Sequence, residues 1–255
     1  MSELVDLDPF RRFRDVTRAR IGIGRTGDAM TTEEVLRFQL SHARARDAVL
    51  GEADFAAMAK ALLPVEALIL HSRASDRKTY LARPDLGRSV APESLTRLGH
   101  GPHDIVFVVA DGLSASAVEK HALSVLTECL SQLASFNVGP VILAEQARVA
   151  FGDEVGEALS AQIVVVLIGE RPGLSTPSSL GAYVTYAPKT GLLDSARNCI
   201  SNIHDDGLSP RQAAQKICWI VREAMRLKLT GVGLKENSAG SEITTDVAAA
   251  PDLLG

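Results

Sequence analysis

Hydrophobic and polar positions divide the chain into a helical first part and a second part in which strands alternate with helices. In the first part apolar residues recur at intervals of three and four, as in the stretch that begins at Thr32 and runs towards Gly51. In the second part three short, mainly apolar runs are too short for buried helices, and they predict strands covered on both faces. These runs are Asp104 to Ala110, Val138 to Ala144 and Ile163 to Ile168.

Amphipathic segments separate the three predicted strands. Ser116 to Phe136 carries its apolar residues on one helical face, and Asp153 to Ser160 is a shorter helix. The order strand, helix, strand, helix, strand predicts a parallel sheet with right-handed crossovers. The predicted fold class is therefore α/β, with a Rossmann-like parallel-sheet domain over residues 101–234. A helical N-terminal region over residues 1–100 precedes it, and the small, polar residues 235–255 predict a flexible tail.

Helix-capping residues mark the ends of several predicted helices. Thr31 and Glu34 have the spacing of a capping box, and Ser209 and Gln212 have the same spacing before a long helix that we expect to end at Gly231. Proline and glycine bound the remaining helices. These are predicted near residues 54–63, 75–82 and 92–98, whereas residues 65–70 fit either a helix or a strand.

Composition and charge exclude several classes of protein. The formal net charge of −4 argues against a nucleic-acid partner, because such proteins need a basic surface. No apolar run approaches the roughly 18 residues of a membrane span, and the charged N-terminus does not have the pattern of a secretory signal. Three cysteines without metal-ligand spacing are typical of a reducing cytosol. We therefore expect a cytoplasmic protein with no nucleic-acid or membrane partner.

The stretch after the third predicted strand is the main candidate for a binding site. The strand stops at Gly169-Glu170-Arg171-Pro172-Gly173, and only one strand-like piece, Ala182 to Tyr186, follows before the next helix. A long irregular segment inside a compact domain is usually functional, and ligands of open α/β sheets bind just past the carboxyl ends of the strands. We expect three loops, at residues 111–114, 145–150 and 169–173, to meet at this edge of the sheet.

Several segments of the chain resemble a known family. GERPGL, SLGAYVTYAP and ARNCISNIH follow one another between residues 169 and 204, and residues 13–49 and YLARPDLGR at 80–88 agree with the same family. Together they are similar to the small (light) subunit of ethanolamine ammonia-lyase, an adenosylcobalamin-dependent enzyme, from about Phe13 to Leu234. The resemblance implies conversion of ethanolamine to acetaldehyde and ammonia by a radical mechanism. It also implies a hetero-oligomer in which a large subunit holds the substrate and cobalamin lies between the two subunits.

The resemblance also implies the residues of the cofactor site. In that family the small subunit contacts cobalamin through a valine, a glutamate and a cysteine, which correspond here to Val149, Glu170 and Cys199. GERPGL and NCISNI place the last two, and Val149 is placed by its spacing before GERPGL. Without the resemblance, an exposed ion pair between Glu170 and Arg171 and a buried, structural Cys199 would be the simpler interpretations. No catalytic residue and no metal ligand are predicted on this chain.

His204 has to be weighed as a ligand of the cobalt. It lies within NIHDDG, one residue short of the D-x-H-x-x-G signature of enzymes that replace the cofactor's own base with a histidine. Such a histidine needs a carboxylate partner to orient it, and Asn202 cannot serve as one. The resembling family keeps the base of the cofactor coordinated, so we assign no axial role to His204.

Two alternative functions stay open. GIGRTG, from Gly22 to Gly27, matches the G-x-G-x-x-G pattern and, with the parallel sheet, would suit a nicotinamide-dependent oxidoreductase. That alternative requires a strand of the sheet ending at Gly22. The lack of nucleophile and phosphate-loop motifs would suit a non-catalytic scaffold subunit. The resemblance favours a lyase subunit that is active only with its large subunit, and it leaves open whether the enzyme is enclosed in a bacterial microcompartment.

Overall fold

A computed structural model describes residues 10–17 and 19–237 of the chain. The helices are α1 (Arg11–Arg14), α2 (Thr32–Leu50), α3 (Phe55–Ala61), α4 (Arg77–Ala82), α5 (Pro92–Leu95), α6 (Ala115–Ala117), α7 (Leu123–Gln132), α8 (Phe151–Ala158) and α9 (Pro210–Leu227). A π-helical turn, Val118–Ala122, joins α6 to α7. The strands are β1 (Arg25–Thr26), β2 (Ala29–Met30), β3 (Ala67–His71), β4 (His103–Ala110), β5 (Val141–Glu145), β6 (Ala161–Gly169), β7 (Leu180–Tyr186) and β8 (Asn198–Ile203).

Six strands form the central sheet, in the order β3-β5-β4-β6-β7-β8. The first four run parallel to one another, whereas β7 and β8 are each antiparallel to their neighbours. The three strands predicted from the aliphatic runs, β4, β5 and β6, lie side by side in the middle. The structure therefore confirms a mixed α/β fold built on a mostly parallel sheet.

Helices cover both faces of the central strands. Along β4, Ile105, Phe107 and Val109 pack on one side against a cluster that includes residues of α7 and α9. The alternate residues of β4 pack on the other side against α8, through a cluster that contains Phe151 and Val155. Because both faces are buried, the strand needs apolar residues at nearly every position, which explains the continuous aliphatic runs in the sequence.

Three parts of the sheet differ from the sequence-based expectation. Residues 65–70, which fitted either a helix or a strand, contribute the edge strand β3, so the sheet extends into the region expected to be helical. Residues 198–203 were expected to be irregular but form β8, and the sheet is not wholly parallel. β8 buries only Ile200 and Ile203. An edge strand with one solvated face can carry polar residues, so it leaves no aliphatic run to recognise.

The capping predictions have mixed outcomes. At α9 the Ser209 hydroxyl accepts from the Gln212 N–H at 3.3 Å and the Gln212 side chain accepts from the Ser209 N–H at 3.0 Å, so this capping box is confirmed. At α2 the Thr31 side chain makes no cap hydrogen bond, and Glu34 instead accepts from Arg37 at 2.6 Å. α9 ends at Leu227, before the predicted Gly231.

The glycine-rich GIGRTG segment does not belong to a dinucleotide-binding unit. It contains β1, which pairs with β2 in an antiparallel hairpin that is separate from the central sheet. Before Gly22 the described residues contain the short helix α1 and no strand, and Arg14 donates to the backbone carbonyl of Gly22 at 3.0 Å. The strand that the nicotinamide alternative requires is therefore missing from residues 10–17 and 19–22.

Two remaining expectations concern the tail and the membrane. Residues 238–255 of the predicted flexible tail lie outside the described residues. None of the helices within the described ranges combines the length and the apolar character that crossing a bilayer demands.

Candidate ligand-binding site

An open cavity of about 640 Å³ lies at the carboxyl ends of β4, β5 and β6. The loops that follow these strands all contribute to its lining, because parallel strands bring their carboxyl ends to the same edge of the sheet. The segment after α4 and the start of β8 complete the rim. The lining residues include Tyr80, Pro84, Arg88, Gly112, Leu113, Arg148, Val149, Ala150, Glu170, Arg171, Tyr183, Asp194 and Cys199.

The three residues predicted from the resemblance line this same cavity. Val149 belongs to the loop between β5 and α8, and Glu170 follows the last residue of β6. Cys199 lies on β8, which reaches the cavity because β7 and β8 extend the sheet beyond β6. Residues far apart in the sequence therefore meet at one site.

Glu170 is held in place by its neighbours in the sheet. Its carboxylate accepts from the Ser179 hydroxyl at 2.5 Å and from the Asn202 N–H at 3.4 Å, both through Oε2. A Cβ on Gly181 would lie 3.0 Å from Oε1, so any larger residue there would push the carboxylate slightly aside. Within the described residues Arg171 forms no salt bridge with Glu170, so the interpretation as an exposed ion pair does not hold. Oε1 is left available to a ligand.

Cys199 is exposed and lies directly opposite Tyr183 in the β7–β8 pairing. Its sulfur is 3.4 Å from the Ser201 hydroxyl. Burial, and secondarily the adjacent Cys199 thiol, raises the pKa of Tyr183, so the phenol stays neutral at physiological pH. The exposure rules out a buried structural cysteine. Together these residues offer the cavity a neutral phenol and a thiol.

Close backbone packing fixes the loops after β4 and β6. Gly112 has a φ of +57°, and a Cβ there would lie 2.3 Å from the Gly169 carbonyl oxygen. The Leu113 N–H donates to that carbonyl at 2.9 Å. A side chain at position 112 would push the two loops apart, so glycine is required at this contact.

Asp111 joins the loops after β4 and β5 from beneath the cavity. Its carboxylate accepts the backbone N–H groups of Gln146 at 3.0 Å and Ala147 at 3.1 Å. The Arg77 guanidinium lies 3.4 Å away and also donates to the Gly112 carbonyl at 2.8 Å. Burial is the main cause that raises the pKa of Asp111 to about 6.

The raised pKa of Asp111 predicts a pH dependence of stability. The folded chain holds this proton up to about pH 6, whereas a free aspartate side chain loses it near pH 3.8. The folded state therefore binds more protons within that window, and Asp111 lowers stability as pH rises through it, by about 3 kcal/mol in all. Urea unfolding at pH 4 to 7 should show that the free energy of unfolding falls more steeply with rising pH for the wild type than for Asp111→Asn. Equal pH slopes for the two proteins would contradict the prediction.

A buried ion pair fixes the chain just before Cys199. Arg197 donates to both carboxylate oxygens of Asp153, at 2.5 and 2.8 Å, and each side chain is 1% exposed. Arg197 also donates to the Thr185 hydroxyl and to the Leu192 carbonyl. Burial raises the pKa of Asp153, and the Arg197 guanidinium opposes that shift. The pair attaches the start of β8 to α8 and so sets the position of Cys199.

Sequence reasoning missed the aromatic and cationic side of the cavity. Tyr80 is fully buried and donates to the Ala147 carbonyl at 3.1 Å. The guanidinium of Arg148 lies 4.4 Å from the centre of the Tyr80 ring, and that of Arg77 lies 5.0 Å from it. Tyr80 and Arg88 both belong to the YLARPDLGR segment that supported the resemblance, which was the available signal.

His204 is not among the residues that line the cavity. It follows β8 on a surface turn, where its Nδ1 accepts from the Asp206 N–H at 3.2 Å. Within residues 10–17 and 19–237 no group of three or more His, Cys, Asp or Glu side chains is arranged to hold a metal ion.

The fold and the site define an α/β protein with an open cavity at the carboxyl edge of a mostly parallel sheet. A family model described as "Ethanolamine ammonia-lyase light chain (EutC)" matches residues 7–235. The chain therefore belongs to the ethanolamine ammonia-lyase light chain family.

Individual relatives agree with this assignment. An ethanolamine ammonia-lyase small subunit from Rhodopseudomonas palustris is 51% identical over 235 residues, which cover 89% of this chain and 90% of the relative. The small subunit from Azotobacter vinelandii is 49% identical, with 91% and 89% covered. That from Xanthomonas campestris is 49% identical, with 95% and 93% covered.

Proposed function

We propose that this chain holds part of adenosylcobalamin in the cavity and, with a large subunit, forms an ethanolamine ammonia-lyase. The observation that carries the proposal is the convergence of Val149, Glu170 and Cys199, implied by the family pattern alone, on one cavity. The mostly parallel sheet supports it, because α7 and α8 cover opposite faces and ligands of such sheets bind where the strands end.

The chemistry of the cavity fits a corrin. The ring carries amide side chains, which need neutral donors and acceptors next to apolar walls. Tyr183 supplies a neutral hydroxyl and Cys199 a thiol, and Oε1 of Glu170 can accept from an amide N–H. A volume of about 640 Å³ is typical of a site for a drug-sized ligand. Cobalamin is considerably larger, so this chain can cover only part of it and a second surface must cover the rest.

The role of this chain is binding and positioning. When bound, adenosylcobalamin supplies the radical that starts the conversion of ethanolamine to acetaldehyde and ammonia, while the protein orients groups and excludes water. Glu170 is suited to orientation, because two hydrogen bonds to Oε2 fix its carboxylate. No acid–base role is assigned to the cavity residues, in keeping with a substrate site on the large subunit.

Helix α2 supplies a surface for the large subunit. This 19-residue helix has one buried residue, Ala48, although Leu36 is 59% exposed and Leu40 is 51% exposed. Helices in proteins gain most of their stability from packing an apolar face. The face of α2 that carries Leu36 and Leu40 has too little to pack against within the chain. The relatives are named small subunits, which implies a large one, and we propose that residues 1–100 contact it mainly through α2. We place the assembly in the cytoplasm, free or within a microcompartment.

Co-expression with the large subunit tests the proposed function. The complex should bind cobalamin and release ammonia from ethanolamine, and this chain alone should do neither. Glu170→Ala should weaken cobalamin binding by about tenfold, since it removes a charged hydrogen-bond acceptor. Glu128→Ala, an exposed carboxylate on α7, is the matched control and should leave affinity unchanged.

The outcomes separate the proposal from its alternatives. Turnover of ethanolamine by the isolated chain would contradict the dependence on a large subunit. A stable complex without cobalamin affinity would favour a scaffold subunit instead. Unchanged affinity in Glu170→Ala would keep the function but remove Glu170 from the binding site.

A further inference from the structure

The cavity has more positively than negatively charged side chains along its lining. Arg88, Arg148 and Arg171 line it, and none of the three forms a salt bridge or a side-chain hydrogen bond with the described residues. The two carboxylates of the cavity already have partners, since Glu170 accepts from Ser179 and Asp194 accepts from Arg197. The whole chain has a net charge of −4, so this local excess of cations is not a general property of its surface.

Arg148 is the most firmly positioned of the three arginines. Its guanidinium lies over the ring of Tyr80 at 4.4 Å, and the buried Tyr80 is itself fixed by its hydrogen bond to Ala147. The Nε atom of Arg148 is buried and has no partner among the described residues. A guanidinium stacked on an aromatic ring loses little freedom when it binds an anion, and it can contact two oxygens at once.

Further donors surround Arg148. Its backbone N–H donates to the Gly87 carbonyl at 2.7 Å, which places Arg88 beside it on the same wall. The backbone N–H groups of Val149 and Ala150 have no acceptor within the described part of the chain, and both residues line the cavity immediately before α8. This side of the cavity therefore presents two arginine side chains together with backbone N–H groups that have no acceptor among the described residues.

We propose that Arg148, assisted by Arg88, binds a phosphate group of the ligand. The inference rests on the proposed function, because the phosphodiester of the nucleotide loop is the one anionic group of cobalamin. Charge-assisted hydrogen bonds from arginine to phosphate are strong and favour two parallel contacts. The opposite side, with the Glu170 carboxylate, the neutral Tyr183 hydroxyl and the Cys199 thiol, is the better match for the amide groups of the corrin.

Two ligands that differ in the phosphate test the inference. The complex with the large subunit would be titrated with cyanocobalamin and with dicyanocobinamide, which lacks the phosphate and the nucleotide, and binding followed by equilibrium dialysis. Arg148→Gln should raise the Kd for cyanocobalamin by about tenfold or more and change that for dicyanocobinamide by less than about twofold. Arg148→Lys keeps the charge and should lose less. Arg226→Gln, which changes an exposed side chain of α9, is the control and should bind both ligands as the wild type does.

Arg88→Gln guards against an effect on folding. Arg88 is exposed and makes no side-chain hydrogen bond to described residues. Its replacement should therefore raise only the Kd for cyanocobalamin, by about threefold. If Arg148→Gln and Arg88→Gln raised the Kd for both ligands by the same factor, the inference would be overturned while the proposed function stayed intact. Unchanged affinities would overturn it as well. If the wild-type complex binds neither ligand, the proposed function itself fails.

Discussion

Arg197→Met is expected to lower the free energy of unfolding by about 3–5 kcal/mol. The substitution keeps most of the side-chain volume but leaves the Asp153 carboxylate, 1% exposed, without its bidentate partner. A buried charge without compensation is far costlier than an absent ion pair. Native domains are stable by only about 5–15 kcal/mol, so much of the total would be lost. Urea unfolding followed through the fluorescence of Trp219 would measure it.

Two companion variants establish that the buried pair is the cause. The double variant Arg197→Met with Asp153→Leu removes both charges and should recover a large part of the lost stability. Arg226→Met breaks the exposed pair between Arg226 and Glu223 and should have no measurable effect. If the double variant lost as much free energy of unfolding as the two single variants together, packing around Arg197, rather than its charge, would be responsible.

Replacing both Leu36 and Leu40 by aspartate is expected to weaken assembly with the large subunit by more than about a hundredfold. The two leucines are one helical turn apart on α2, and both are largely exposed in this chain. Central apolar anchors typically contribute about 2 kcal/mol or more each, and a buried charge adds a desolvation cost. Analytical ultracentrifugation of the co-expressed subunits would measure the effect.

The matched control for that prediction is Val232→Asp. Val232 is 85% exposed and lies after α9, outside α2. The Val232→Asp substitution adds one negative charge at an exposed apolar position away from α2, so the complex should stay intact. If both proteins assemble normally, α2 is not the contact surface; if both fail, the loss reflects added charge rather than the leucines. The circular dichroism of the isolated double variant should match that of the wild type, because neither leucine is part of the core.

The sequence was sufficient for the middle of the sheet. The runs that became β4, β5 and β6 are apolar at almost every position, because helices cover both of their faces. Burial on two sides requires a continuous apolar run, which can be recognised in the sequence. The turn at Gly169 and the capping box at Ser209 could also be predicted, since each depends on residues within a few positions of one another. The motifs around Glu170 and Cys199 carried the family assignment in the same way.

The tertiary structure alone decided how the site is assembled. β8 was not predictable, because an edge strand with a solvated face needs no aliphatic run, and yet it brings Cys199 opposite Tyr183. The pairing of Arg197 with Asp153, and the stacking of Arg148 on Tyr80, join residues that are distant in the chain. The sequence by itself determined the family through its motifs, and it determined the α/β class and the central strands through local patterns of burial. The cavity, its excess of positive charge and the unpaired face of α2 depend on contacts between distant segments, and only the folded chain makes those contacts.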